Sequence, residues 1–327
     1  MKKSIHLTII VTTYNSAKFI ENCIKSIINQ RWDLQEIQLI ITDDSSTDNT
    51  LEIIANFNLQ SLFGHFCMFK TNENSGPGEA RNLAISQHRG GYVIFVDSDD
   101  ELLPNAVSEV SAKTKEMTDL ILYDSIRRYM NGEEINYCKH QKSLNNDLAT
   151  KLNAILSLET DDHVIHSAYK SSFLKKLKPF STGFYEDIRF QAHAILEAAS
   201  ILHISIPIYL KNSHDKQITS FMNYDKAIQY LECRITLHEE ILSQYSGFGQ
   251  DIEQWSNFGL RGAISLSLNN MQKFYTDEKV FNSKAKIFFD FLNARISHLD
   301  SLMKDNLRTN LDYQAKIYYD NATRLGQ

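Results

Sequence analysis

Four stretches of this 327-residue chain carry side chains suited to an oxygen-rich, charged ligand. The most pointed is Asp97-Ser98-Asp99-Asp100, directly after the apolar run Tyr92-Val93-Ile94-Phe95-Val96. Carboxylates at i and i+2 on a rigid strand end suit a hard divalent cation such as Mg2+ or Mn2+. Such an ion takes few protein carboxylates and leaves positions for phosphate oxygens. The same residues also read as a solvated acidic turn capping a helix near Leu103-Pro104, and residue type alone does not separate the two. Asp43-Asp44-Ser45-Ser46-Thr47-Asp48 follows another apolar run and offers acceptors for a base N–H or a ribose hydroxyl, or plain caps for a helix beginning near Asn49. Thr12-Thr13-Tyr14-Asn15 supplies a ring, Tyr14, on which a base can stack. In the stretch Thr71 to Asn82, Gly76 and Gly78 permit close backbone approach and Arg81 can reach a diphosphate. A dinucleotide fingerprint fails there, because its third glycine would fall at Arg81, and a G-x-x-x-x-G-K-[ST] loop is absent.

The elements that must position these groups alternate. Strands are predicted at Leu7–Val11, Ile37–Ile41, Phe66–Phe69 and Tyr92–Val96. Helices are predicted between them: one capped by Asn15-Ser16 and running to Ile28, one from about Asn49 through Ala55, and one over Gly78–Gln87. This alternation predicts an α/β fold with a mainly parallel sheet covered on both faces and a ligand at the carboxyl ends of the strands. Beyond it, the pattern predicts a helix through Leu152, Ile155 and Leu158, a short run His163–Tyr169, a helix Ile188–Ala199 and a strand Ile201–Tyr209. After Tyr224 only helical spacing remains, so the expected domains are 1–224 and an all-helical 225–327.

Composition narrows the class. There are 34 Lys and Arg against 40 Asp and Glu, a net charge of −6, with no polybasic cluster, which argues against nucleic acid as a partner. The four cysteines are scattered, and Cys23 and Cys233 read as small buried hydrophobes. The N-terminal apolar run is short, interrupted by His6 and Thr8, and lacks a cleavage-like site. With no run long enough to span a bilayer, the expectation is a soluble cytoplasmic protein without a transmembrane segment, at most peripherally associated with a membrane.

Taken in order, Thr12-Thr13-Tyr14-Asn15, Asp43-Asp44-Ser45-Ser46-Thr47-Asp48, Gly78-Glu79-Ala80-Arg81-Asn82 and Asp97-Ser98-Asp99-Asp100 resemble the family 2 glycosyltransferases of the GT-A (Rossmann-like) fold. The resemblance is closest over residues 5–125 and extends more loosely to about 222 through His166–Leu174 and Phe184-Tyr185-Glu186-Asp187. It implies an inverting transfer of a sugar from a nucleotide-diphosphate sugar, most often a UDP-sugar, to a glycan or glycoprotein acceptor. It implies that Thr12, Tyr14, Asn15 and Asp44 hold base and ribose, and that Gly78, Arg81 and Ser98 lie by the nucleotide or diphosphate. Asp97 would approach the ribose or the metal, and Asp99 would ligate Mn2+ or Mg2+. The one departure is Ser45, where the family usually has glycine.

The resemblance further makes Asp187 the base that takes the acceptor's proton and Glu186 its neighbour on the acceptor. An acidic pair before an apolar helix also reads as a simple cap. In some relatives a histidine after the last catalytic strand completes the metal shell, which points to His214; a surface-loop histidine is the plain alternative. His163 and His166 read either as lining the acceptor side or, the plainer reading, as ordinary structural residues. The aromatic residues Trp255, Phe258, Phe274, Phe288, Phe289 and Phe291 read mostly as helical core, any left exposed serving as a homodimer or partner surface. Two other functions are open to such a chain: a catalytically silent sugar-nucleotide-binding partner, which would be expected to lose Asp99 or Asp187, and a nucleotidyltransferase, which would need a basic glycine-rich loop after the first strand.

Overall fold

The structure is a computed structural model that describes residues 3–137, 144, 146–183, 185–214 and 223–296. Its strands are β1 (Leu7–Thr13), β2 (Ile37–Asp43), β3 (His65–Lys70), β4 (Tyr92–Asp97), β5 (Glu101–Leu102), β6 (Leu120–Arg128), β7 (Glu134–Tyr137), β8 (Ser167–Lys170) and β9 (Ile201–Asn212). Its helices are α1 (Ile20–Ile28), α2 (Thr50–Ala55), α3 (Leu59–Leu62), α4 (Pro77–Ile85), α5 (Ala106–Thr114), α6 (Leu148–Leu156), α7 (Ser171–Leu174), α8 (Glu186–Glu197), α9 (Tyr224–Gln244), α10 (Gln250–Phe274) and α11 (Glu278–Ile296).

The strands form one mixed sheet in the order β3-β2-β1-β4-β8-β6-β9-β5, with β7 added on β6. β1 and β2 are buried at every position, as befits adjacent parallel strands covered by other elements, which is why both read as unbroken apolar runs. β1 pairs in parallel with β2 and β4, and β2 with β3. The other half departs from the simple alternation: β8 is antiparallel to both β4 and β6, β5 to β9, and β7 to β6, while β6 and β9 run parallel. The sequence reading lacked β5, β6 and β7. β6 begins as an apolar run, Leu120 to Tyr123, then turns half-exposed, and its register on β9 shifts at Asp124 opposite Pro207, so no single period describes it.

Helix starts also moved. α1 begins at Ile20 rather than at an Asn15-Ser16 cap, because Asn15 takes a left-handed conformation (φ 48°) and the carbonyl of Ser16 accepts the N–H groups of Phe19 and Ile20. α8 begins at Glu186, two residues before Ile188, so the acidic pair lies inside its first turn.

The chain divides into two compact units, Met1–Lys151 with Thr160–Ser213, and Leu152–Glu159 with His214–Gln327. The first contains the whole sheet. In the second, α10 reaches the end of α6 so closely that a Cβ on Gly259 would sit 1.6 Å from the Leu156 carbonyl oxygen, a contact only glycine allows. Arg295 of α11 bonds Glu232 and Glu239 of α9. Phe288 and Phe289 are buried as expected, but Phe258 and Phe274 are 57% and 41% exposed, so the core reading fails for these two. Cys23 is buried, whereas Cys233 is only half-buried. Among the described residues no helix is long and apolar enough to cross a membrane.

Candidate active site

The parallel register brings the sequence motifs to one edge of the sheet. Thr12 stands opposite both Thr42 on β2 and Asp97 on β4. Tyr14, just past the strand, is 44% exposed, and its ring is open to a stacking partner. Asn15 faces the chain itself: its side-chain oxygen accepts from Thr47 N at 2.8 Å and Asp48 N at 3.3 Å, holding the β2–α2 loop. Ser16 and Ser98 are joined hydroxyl to hydroxyl at 2.6 Å, tying the β1 end to the acidic turn.

Asp44 is buried and occupied. Its carboxylate accepts from Thr71 Oγ1 at 2.8 Å, Ser75 N at 3.0 Å and Gly76 N at 2.7 Å, so it shapes the loop between β3 and α4. Ser45, the departure from the usual glycine, does take the left-handed conformation glycine favours (φ 61°), and its hydroxyl offsets part of that cost by donating to the Thr71 carbonyl at 2.7 Å.

Arg81 is the hub. It is 4% exposed, stacks 5.5 Å over the Phe180 ring, and donates to Glu186 Oε1 at 2.5 Å and to Asp97 Oδ1 at 3.0 Å. Burial works against its charge, but Asp97, Glu186 and Asp187 outweigh that and hold its pKa above the ordinary arginine value. Gly78, one turn earlier, is where α4 meets the Phe180–Ser181 segment and α8. A Cβ there would lie 2.7 Å from the Ser181 carbonyl oxygen and 2.8 Å from Glu186 Cγ. Its service to the site is close packing behind Glu186. Tyr185, just before the acidic pair, is held left-handed at φ 64°, a strained conformation for a bulky residue that recurs at functional sites. Asp187 is half-buried, and burial first, then the neighbouring Glu186, pushes its pKa up to about 6.

In the turn after β4, carboxylate oxygens of Asp97, Asp99 and Asp100 lie within 4.8 Å of one another. They divide the labour by exposure. Asp97 and Asp99 are half-buried, while Asp100 is 2% exposed and spent on the fold, accepting from Tyr209 Oη and Asn212 N at 2.8 Å each. Burial, then Asp99, drives the Asp100 pKa well above the usual carboxylate range. His214 follows β9 by two residues and belongs to the second unit; the acidic group itself consists of Asp97, Asp99 and Asp100.

Sequence reasoning named Asp100 within the acidic motif but missed its partners Tyr209 and Asn212, since the bonds joining them span more than a hundred positions and leave no local pattern. It also passed over Asp161, whose spacing to His163 and His166 was visible.

A sheet of this order with an acidic turn at the end of β4 is of the GT-A type, and solved structures share it. Staphylococcus aureus TarS 1-349 in complex with UDP-GlcNAc superposes with a TM-score of 0.70 at 22% identity, covering 99% of this chain and 93% of that one. The mannosyltransferase PcManGT from Pyrobaculum calidifontis, solved with GDP-Man and Mn2+, gives 0.57 at 13% identity, covering 98% and 86%. Residues 8–178, just over half the chain, match Glycosyl transferase family 2, and the chain belongs to that family. Among curated relatives, the Staphylococcus aureus poly(ribitol-phosphate) beta-N-acetylglucosaminyltransferase TarS is 36% identical over 105 residues, 32% of this chain and 18% of that protein. The Campylobacter jejuni GalNAc(5)-diNAcBac-PP-undecaprenol beta-1,3-glucosyltransferase is 37% identical over 111 residues, 34% of this chain and 35% of that protein. The matched region thus spans well under half the length of either relative.

Proposed function

We propose that residues 1–224 form an inverting glycosyltransferase domain that moves a sugar from a UDP-sugar to a hydroxyl of a glycan or glycoprotein of the cell surface, acting from the cytoplasmic side. The observation that carries this reading is the pair of bonds from Arg81 to Asp97 and Glu186, which ties the acidic turn after β4 to the helix start that holds Asp187. A nucleotide-sugar transferase needs such a connection, because the leaving diphosphate and the attacking hydroxyl must meet at one anomeric carbon. The names of the relatives, which attach sugars to a poly(ribitol-phosphate) and to an undecaprenol-linked glycan, favour a surface-polymer acceptor.

In this reading Tyr14 stacks on the base, and Thr12 and the Asp44-shaped loop border the ribose. Asp187, with its pKa near 6, is ionised at neutral pH yet basic enough to accept a proton. It takes the proton of the acceptor hydroxyl as that oxygen bonds the anomeric carbon from the face opposite UDP. The bond from that carbon to the phosphate oxygen breaks, and its electron pair leaves with UDP. Glu186, already engaged by Arg81, orients the pair. The donor set of Asp97 and Asp99, all oxygen, partly open and braced by the buried Asp100, fits a hard ion such as Mn2+ or Mg2+. When bound, such an ion supplies positive charge for the diphosphate oxygens of the leaving group.

The test is UDP release from a panel of UDP-sugars with and without Mn2+, alongside thermal shifts with the same compounds. The proposal expects stabilisation by at least one UDP-sugar and metal-dependent UDP release. Release of nucleoside monophosphate, or no response to any nucleotide sugar, overturns it.

A further inference from the structure

A second group of titratable side chains lies in the first unit, in the turn Asp161-Asp162-His163-Val164-Ile165-His166 that leads into β8. Asp161 is 1% exposed. Its Oδ1 accepts from His163 N and stands 2.8 Å from His163 Nδ1 and 3.1 Å from His166 Nδ1, and ligand atoms of all three residues lie within 4.8 Å of one another. The other oxygen, Asp161 Oδ2, is buried with no hydrogen-bond partner among the described residues. A buried carboxylate oxygen left without a donor is costly, and native structures seldom keep one without a use.

We propose that Asp161, His163 and His166 form a binding site for a borderline divalent transition ion of the Zn2+ or Co2+ type, separate from the carboxylate turn after β4. Two imidazole nitrogens and one carboxylate suit such an ion, whereas the all-oxygen set of Asp97 and Asp99 suits a hard one. Ligands at about 2.0–2.2 Å around a tetrahedral ion lie roughly 3.3 Å apart, so an ion would take the place of the Nδ1 contacts to Asp161 Oδ1 and widen their 2.8 and 3.1 Å separations by up to about half an ångström. His163, with its side chain 24% exposed, gives the ion its way in and a face for a fourth ligand. The site also has something to brace: the His166 ring packs edge-on against Tyr209 at 5.7 Å, the residue that holds Asp100, and the turn packs against α8.

The experiment is equilibrium dialysis of the chelator-treated 327-residue chain against Co2+ alone, with the visible ligand-field spectrum as readout, for wild type, Asp99→Asn and His163→Ala. The proposal expects about one Co2+ bound with a nitrogen-ligated spectrum in wild type and unchanged in Asp99→Asn, and affinity at least about tenfold weaker in His163→Ala. Absence of a Co2+ that survives Asp99→Asn overturns it without recourse to the histidine variant. So does a His163→Ala protein that binds as tightly as wild type; Asp161 would then serve only as a hydrogen-bond acceptor that orients two rings.

Discussion

Arg81 donates to Glu186 across 105 positions of sequence, at 2.5 Å, with both side chains 5% exposed. The same guanidinium holds Asp97, whose side chain is 34% exposed, so the buried pair is linked to a third, partly open charge. Removing one partner of a buried pair leaves an uncompensated charge. Arg81→Ala is expected to lose about 3–5 kcal/mol of stability, read by denaturant unfolding, and with it the activity. The double variant Arg81→Met/Glu186→Met is expected to recover part of the stability and none of the transfer. A single variant as stable as wild type would contradict this account of the pair.

Asp187 carries a pH signature with two consequences. Its folded pKa, about 6, lies above the ordinary 3.8, so the native state binds the proton more tightly than the unfolded chain does. Stability from this group is therefore full below the unfolded value and declines as pH rises from about 4 to about 6, leaving a penalty at neutral pH. Asp187→Asn removes the penalty and is expected to raise neutral-pH stability by on the order of 1–3 kcal/mol, the gain vanishing in acid. Catalysis runs the other way: kcat/KM is expected to rise with pH through about 6 as the base ionises. A flat profile across that range, or a destabilised Asn variant, counts against the assignment.

Gly78 has no room for a methyl group, with Ser181 O and Glu186 Cγ both under 3.0 Å from the place it would occupy. Gly78→Ala is expected to cost about 1–3 kcal/mol and to slow transfer by displacing Glu186. Gly91→Ala, where the nearest neighbour is His6 O at 3.4 Å, is the matched control and is expected to leave transfer unchanged. Equal effects at both positions would show that space behind Glu186 is not what matters.

The acidic turn separates into a scaffold and an open face, and variants should separate with it. Asp100→Ala strips acceptors from Tyr209 and Asn212 and is expected to lower thermal stability by about 1–3 kcal/mol per group left unpaired. Asp99→Asn is expected to keep the metal-free fold and to abolish the dependence of UDP release on Mn2+. Thermal melts with and without metal check both, and a metal response intact in Asp99→Asn rejects the division.

The readable part of this fold is the part made of periodic local signals. β1, β2 and β4 are buried along nearly their whole length, so their apolar runs announced them, and parallel pairing then carried Thr12, Asp43 and Asp97 to one edge. β6 escaped because only its first residues are buried on both sides and its register shifts midway. The acid pair and Arg81 were visible as residues, but the bonds between them were not, since they form only when α4 and α8 meet at Gly78. Asn15 and Asp44 show the converse: their types suggested a ligand, while their observed hydrogen bonds go to the chain's own loops. An oxygen that accepts backbone N–H groups is indistinguishable in sequence from one that awaits a ribose.

The claim on which the account rests is that Asp187 removes the acceptor's proton beside a nucleotide held at the strand ends. It is tested most directly by measuring, on the same preparations of wild type and Asp187→Asn, both UDP binding by calorimetry and turnover of the UDP-sugar found by the thermal screen. The account predicts equal UDP affinity and a loss of turnover of about 100-fold or more in the variant. Turnover within a few-fold of wild type, with binding intact, would contradict it.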